Sequence, residues 1–349
     1  MIGGRPPRAV APPSPGGGII RPARRPRDWI VPGPAPCTPA DRPEVWPREG
    51  EDLCFLAGDW RILQRVDGHR WSLDDLVTAW WAARVFNSSR TLRPGSGARS
   101  EPRPEGRGSE GGGARCVGHE HRVVDLGCGI GTVMLLLAWR LPAARVAGVE
   151  AQGVSVELAR RSILFNGVED RCTVLEGDFR ECSSRAGLGP ADLVTGTPPY
   201  LPRGSGTESS RPQSGPCHFE HRGGVEEYVR VAAELLAGGG VFVGCAAARQ
   251  RPRVEASAAD AGLAVESWRE VVPREGKAPL FAVYAVRRRV APGVCVCPPP
   301  LVVRDRAGCW TAEFASLREE MGLPPGDGAS KDAALCSIPD RPPVVGPRA

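Results

Sequence analysis

The sequence predicts an α/β fold, a mostly parallel sheet with helices on both faces. Three observations lead there. Strand-like and helix-like runs alternate from Val123 to Val286. The stretch V-V-D-L-G-C-G-I-G-T at 123–132 reads as a strand, a tight glycine loop and the first turn of a helix, the opening of a Rossmann-like βαβ unit. Asp125, Glu150, Asp178 and Thr197 stand at the ends of successive strands, which is where sheets of this kind bind ligands. Gly127, Gly129 and Gly131 let the backbone turn sharply and come close to a ligand that any side chain would hold off.

At 349 residues the chain can bury one good core and carry extra segments, so one catalytic domain is expected. The 44 glycines and 36 prolines exceed the usual share and gather outside the periodic runs. Only Lys277 and Lys331 are lysines. Arginine-borne charge beside abundant Ala, Gly and Pro fits a GC-rich coding sequence better than a functional arginine patch. A net charge of +5 permits an RNA partner without demanding one. The 12 cysteines are scattered, some inside expected strands and helices (Cys128, Cys245), which fits reduced thiols in a cytoplasmic or organellar compartment rather than a secreted disulfide framework. Cys116/His119/His121 and Cys217/His218/His221 lack the paired spacing of a zinc module, and Cys295-x-Cys297 stands alone, so no metal is expected. No run reaches the roughly 18 apolar residues of a membrane span, so no membrane partner is expected.

Residues 1–44, rich in Pro, Gly and Arg, are expected to be a disordered tail. Its first 27 residues hold six arginines and no acid, and an organelle transit peptide is the equal alternative. The expected catalytic domain then spans 45–290, with a Gly/Ser/Pro-rich insertion at 87–119. Asp59–Gln64 and a strand after Asp67-Gly68 read as a β-hairpin, and Ser72-Leu73-Asp74-Asp75 as a capping-box-like helix start. Beyond the glycine loop come a strand ending at Glu150, a helix Ser155–Asn166 closed by Gly167, and strands ending at Asp178 and Thr197. A helix Val225–Ala237 stopped by Gly238-Gly239-Gly240 leads to a buried strand Val241–Ala246, and Ala264–Val272 with Phe281–Val286 close a seven-stranded sheet. A C-terminal extension, 291–324, carries a short helix Glu313–Met321, and 325–349 reads as tail.

The chemistry follows from two places. Glu150 lies roughly 20 residues past the glycines, where a carboxylate holds a ribose diol. That spacing suits nicotinamide dinucleotides and S-adenosylmethionine alike. The loop lacks a Gly or Ala at Thr132 to complete the dinucleotide pattern, no pyrophosphate-binding group is evident, and Asp125 offers a carboxylate to a cationic methionine amine, all of which favour S-adenosylmethionine. At the fourth strand's end, Thr197-Pro198-Pro199-Tyr200 has two prolines that fix the backbone and leave carbonyls outside the ladder. Such a carbonyl, with a polar side chain beside it, can accept both hydrogens of a planar amine and aim its lone pair at a methyl sulfonium. Tyr200 is placed to stack on a flat substrate.

On D-L-G-C-G-I-G and T-P-P-Y the chain resembles class I S-adenosylmethionine-dependent methyltransferases with an [N/D/S]-P-P-[Y/F] motif. Within them it is similar to the small-domain enzymes typified by the bacterial valine-tRNA adenine N6-methyltransferase. The likeness covers about 59–287 without the insertion. It implies that Asp125 and the backbone at Gly127, Gly129 and Gly131 hold the methionine part, that Glu150 takes the ribose, and that Asp178 with Phe179 hold the adenine. It also implies that Thr197, Pro198, Pro199 and Tyr200 hold the target amine, and that Gly68–Asp75 covers the entrance. The substrate so implied is RNA, with methylation of a protein glutamine amide, of a small molecule, or a non-catalytic binding module as rivals. Thr197 departs from the family's asparagine: its hydroxyl is shorter and donates as well as accepts.

Overall fold

The computed structural model describes residues 15–22, 25–26, 28–37, 42–91, 120–181, 183–200, 220–288 and 294–324. The expected tail is not a tail where it is described. Ile19–Ile20 (β1) pairs in parallel with Glu51–Ala57 (β2), which pairs antiparallel with Trp60–Arg65 (β3). Trp60 donates its indole N–H to the carbonyl of Pro34 at 3.1 Å, Gly33 lies against the Trp139 indole, and Arg21 pairs with the buried Asp52 at 2.8 Å. A segment that packs through its backbone and arginines needs no hydrophobic period, so composition alone misreads it.

The hairpin also differs from the expected one. β3 turns at Gly58-Asp59 and pairs with the segment before it, not across Asp67-Gly68. The apolar run Leu53–Ala57 is buried throughout and takes the place beside β3. The helix Leu73–Thr91 (α1) starts as the sequence suggests, with the Ser72 N–H donating to the Asp75 carboxylate at 3.0 Å. It runs past Asn87, its last turns tied by Ser88 and Ser89 hydroxyls to the carbonyls of Arg84 and Val85. The rest of the expected insertion lies outside the described residues.

The main sheet is built from His121–Leu126 (β4), Ala144–Glu150 (β5), Cys172–Glu176 (β6), Ala191–Gly196 (β7), Leu236–Ala247 (β8), Leu263–Val272 (β9), Phe281–Arg288 (β10) and Leu301–Val302 (β11). Its order is β11-β9-β10-β8-β7-β4-β5-β6. Strands β4 to β8 run parallel, and β10 lies antiparallel between β8 and β9. Among the described residues the sheet has eight strands rather than seven, because the C-terminal extension adds β11 beside β9. Helices Thr132–Arg140 (α2), Gly153–Asn166 (α3), Val225–Leu235 (α4), Arg251–Asp260 (α5) and Ala312–Glu320 (α6) also lie among the described residues. Helix α5 escapes a sequence reading because it buries only Val254, Ser257 and Ala258. Among the described residues no helix is long and apolar enough to cross a membrane.

Helix α3 joins the small sheet to the large one. The side-chain amide of Asn166 accepts from the N–H of Arg61 at 2.9 Å and donates to its carbonyl at 2.8 Å, while Ser162 accepts from the N–H of Leu63. Helix side chains thereby finish the ladder that the edge of β3 would leave open. Next to Ser162 in sequence, the buried guanidinium of Arg161 donates to the carbonyls of Glu44 and Trp46 and pairs with Glu51 at 2.9 Å. Arg161→Met keeps the stem but strands two carbonyls and a carboxylate. It is expected to lower unfolding free energy by about 3 kcal/mol in urea titration; an unchanged midpoint would show that the stitch is idle.

Candidate active site

The order of strands reverses at β4, whose neighbours are β5 and β7. The crevice at the carboxyl ends of these three strands is where a ligand of such a sheet lies. The loop leaving β4 fills one side of it. Gly127, Gly129 and Gly131 have φ of 60°, 56° and 89°, in the left-handed region that other residues avoid. A Cβ on Gly127 would stand 2.5 Å from the Tyr228 hydroxyl, and one on Gly196, at the end of β7, 2.5 Å from that ring. A Cβ on Gly129 would meet nothing within 4 Å, so its backbone faces open space.

Two buried carboxylates hold the loop. Asp125 accepts from the Thr195 hydroxyl at 2.8 Å and from the backbone N–H of Met134 in the first turn of α2. It is 2 % exposed, so in this structure it shapes the loop from beneath. Burial pushes its pKa up to about 7, against the pull of those two donors. Glu150, at the end of β5, accepts from the N–H of Gly129 at 2.9 Å and from that of Gln152 at 2.7 Å. Burial raises it too, and the backbone donors and nearby Arg222 draw it back. A carboxylate offers about four acceptor positions, so Glu150 can accept beyond its backbone bonds.

The third acid is differently placed. Asp178 is gripped by Arg180, whose Nη2 lies 2.6 Å and Nε 2.9 Å from the two carboxylate oxygens, and this pairing keeps Asp178 below the usual carboxylate range. The Phe179 side chain is buried, its ring 4.5 Å from that of Tyr228 in α4. Its ring is therefore part of the core.

Thr197 and Pro199 are half-buried and Pro198 is buried at the end of β7. Tyr200 points inward rather than freely outward. Its hydroxyl meets Asp74 of α1 and Cys245 of β8, each at 3.0 Å, and its carbonyl accepts from the Gln250 side chain at 3.3 Å. Burial and the Asp74 carboxylate push the phenol well above its ordinary pKa, so it is the donor toward Asp74. The start of α1, in the segment taken for a cover over the entrance, is thus tied to the T-P-P-Y end of β7. Tyr228, Thr195, Cys245 and Gln250 carry this geometry and have no motif to reveal them; small residues at 127 and 196 are the faint trace of Tyr228.

Residues 123–198 match a protein-family model described as methyltransferase domain. It is 36 % identical over 127 residues to a 4-amino-L-phenylalanine/4-methylamino-L-phenylalanine methyltransferase of Streptomyces pristinaespiralis, covering 35 % of this chain and 42 % of that one. It is 36 % identical over 81 residues to a release factor glutamine methyltransferase of Chlorobaculum tepidum, covering 23 % and 28 %. It is 34 % identical over 80 residues to a tRNA1(Val) (adenine(37)-N6)-methyltransferase of Porphyromonas gingivalis, covering 22 % and 31 %. The chain thus spans less than half the length of each of these curated relatives.

The buried Asp125 gives the domain a pH signature. Its folded pKa of about 7 stands above the roughly 3.9 of an unfolded aspartate, so between those values the folded chain holds a proton that the unfolded chain has lost. Its contribution is most favourable below about pH 4 and declines by up to about 4 kcal/mol as pH rises to 7. Asp125→Asn, which cannot ionise, is expected to gain stability relative to the parent between pH 5 and pH 8 in paired urea titrations. A constant difference would mean that Asp125 is ionised throughout.

Proposed function

We propose that this chain transfers a methyl group from S-adenosylmethionine to a planar nitrogen, the exocyclic amine of an RNA base, with N6 of a tRNA adenine as the leading case. The observation that carries the reading is the T-P-P-Y turn, fixed at the end of β7 next to the glycine loop and anchored through Tyr200 to α1 and β8. The relatives' names speak of an aryl amine, a glutamine amide and an adenine amine, whose shared feature is a conjugated nitrogen that is a poor nucleophile until oriented. The crevice fits the donor. Gly129 opens onto free space, and Glu150 can accept from a ribose diol while keeping its backbone bonds.

S-adenosylmethionine, when bound, supplies an electrophilic methyl on sulfur. The chain's part is to bind and to aim. Glu150 would hold the ribose, the backbone around Gly127–Gly131 the methionine part, and the backbone at Phe179 the adenine, with Asp178 reaching it only if Arg180 releases a carboxylate oxygen. Asp125 supports the amino-acid end, and a cationic amine nearby would favour its ionised form. Thr197 and the carbonyl preceding Pro199 would accept the two hydrogens of the target amine and leave its lone pair facing the donor. The amine proton left after transfer passes to solvent, since these groups only position. Tyr200, with its hydroxyl held, offers ring surface rather than a base.

A protein glutamine amide is the second reading, and the release factor methyltransferase relative favours it. Incubating the chain with methyl-labelled S-adenosylmethionine and either total RNA or total protein separates the two. Label is expected in RNA as methylated adenosine, and Thr197→Asn is expected to keep or raise it. Label confined to protein would replace the RNA reading with the amide one.

A further inference from the structure

Cys295 and Cys297 lie on the strand-like segment that follows β10 and borders β9. Val296 between them is pinned there: its N–H donates to the carbonyl of Glu266 at 2.8 Å, and its own carbonyl accepts from the N–H of Trp268 at 3.1 Å. Side chains two apart on an extended chain point the same way. Both thiols accordingly face one neighbour, and their sulfurs stand 3.9 Å apart. That neighbour is Arg251, the first residue of α5, with Nη1 3.5 Å from the Cys297 sulfur and Nη2 3.8 Å from that of Cys295. The guanidinium is itself held, by Glu255 at 2.8 Å and over the Trp268 ring at 5.8 Å. Cys297 is exposed and Cys295 half-buried.

We propose that Cys295 and Cys297 form a redox-active dithiol that exchanges with small external disulfides. A cation forked across two adjacent sulfurs favours thiolate at either, and exposure gives a small disulfide access. The roles differ. Burial and the neighbouring thiol push Cys295 up to about 11, which leaves the exposed Cys297 as the attacking group. The Cys297 thiolate attacks one sulfur of the external disulfide, forming a mixed disulfide and expelling one thiolate. Cys295 then gives up its proton, attacks the Cys297 sulfur and expels the second thiolate. The dithiol is oxidised to a disulfide, the external disulfide is reduced to two thiols, and the two protein protons end on them. Gln250, next to Arg251 in sequence, grips the Tyr200 carbonyl, and the chemistry proposed here does not depend on any methyl transfer.

The sequence gives a clean test. Trypsin releases residues 290–304 as one peptide holding these two cysteines and no other. The full chain, reduced and freed of reductant, is incubated with oxidised glutathione, quenched with iodoacetamide, digested and weighed. The expected peptide is unalkylated and two hydrogens lighter than its reduced form, and excess dithiothreitol restores two alkylation sites. Cys295→Ser is expected to leave a stable glutathione adduct on Cys297, and Arg251→Gln to slow thiol loss about ten-fold. A parent peptide that keeps both thiols, or carries glutathione without forming the bridge, would overturn the proposal, as would a bridge that forms equally fast without Arg251.

Discussion

The glycine loop keeps its shape because two buried carboxylates accept hydrogens from its frame. Asp125 works from beneath, joining β4 to β7 through Thr195 and to α2 through the Met134 amide. Glu150 works from the side, joining the loop to β5 through Gly129. Neither is neutralised by a bonded guanidinium, so both are raised by burial and held by dipoles. Left-handed glycines alone would give a flexible turn. Glycines clamped by two acids give a fixed concave backbone beside which a ligand can lie.

The second wall comes from elsewhere in the chain. Tyr228 wedges its ring between Gly127 and Gly196 and packs on Phe179, so the ends of β4, β6 and β7 are spaced by one aromatic side chain of α4. Tyr200 ties the T-P-P-Y turn to Asp74 of α1 and to Cys245 of β8. Helix α1 follows the small sheet, which α3 fastens through Arg161, Ser162 and Asn166. The N-terminal part of the chain is in this way structurally continuous with the crevice.

Much of this was legible in the sequence. The parallel strands, the glycine loop and the acids at strand ends are local patterns: short runs of β-branched and apolar residues, φ-tolerant residues and a charge at a chain reversal. The helix start at Ser72 is legible for the same reason. What escaped is long-range. The 15–37 segment packs by backbone and arginine on Asp52, Trp60 and Trp139, and has no periodicity to betray it. The partner of β3 was misassigned because Asp-Gly is a strong local turn signal, while the true choice was made by burial of Leu53–Ala57. Asp178 is an acid at the right strand end, yet Arg180, two residues on, occupies both its oxygens. The Cys295/Cys297 pair is visible as a spacing, and only the fold brings Arg251 to it.

The central claim is that Glu150 and the glycine loop form the donor's cleft. Calorimetric titration of the full chain and of Glu150→Gln with S-adenosylmethionine tests it most directly, with thermal unfolding of both as a control for folding. Saturable one-to-one binding by the parent is expected, with at least about ten-fold weaker binding by the equally folded variant, which lacks a charged acceptor for the ribose. No binding by the folded parent, or equal affinity in the variant, would contradict it.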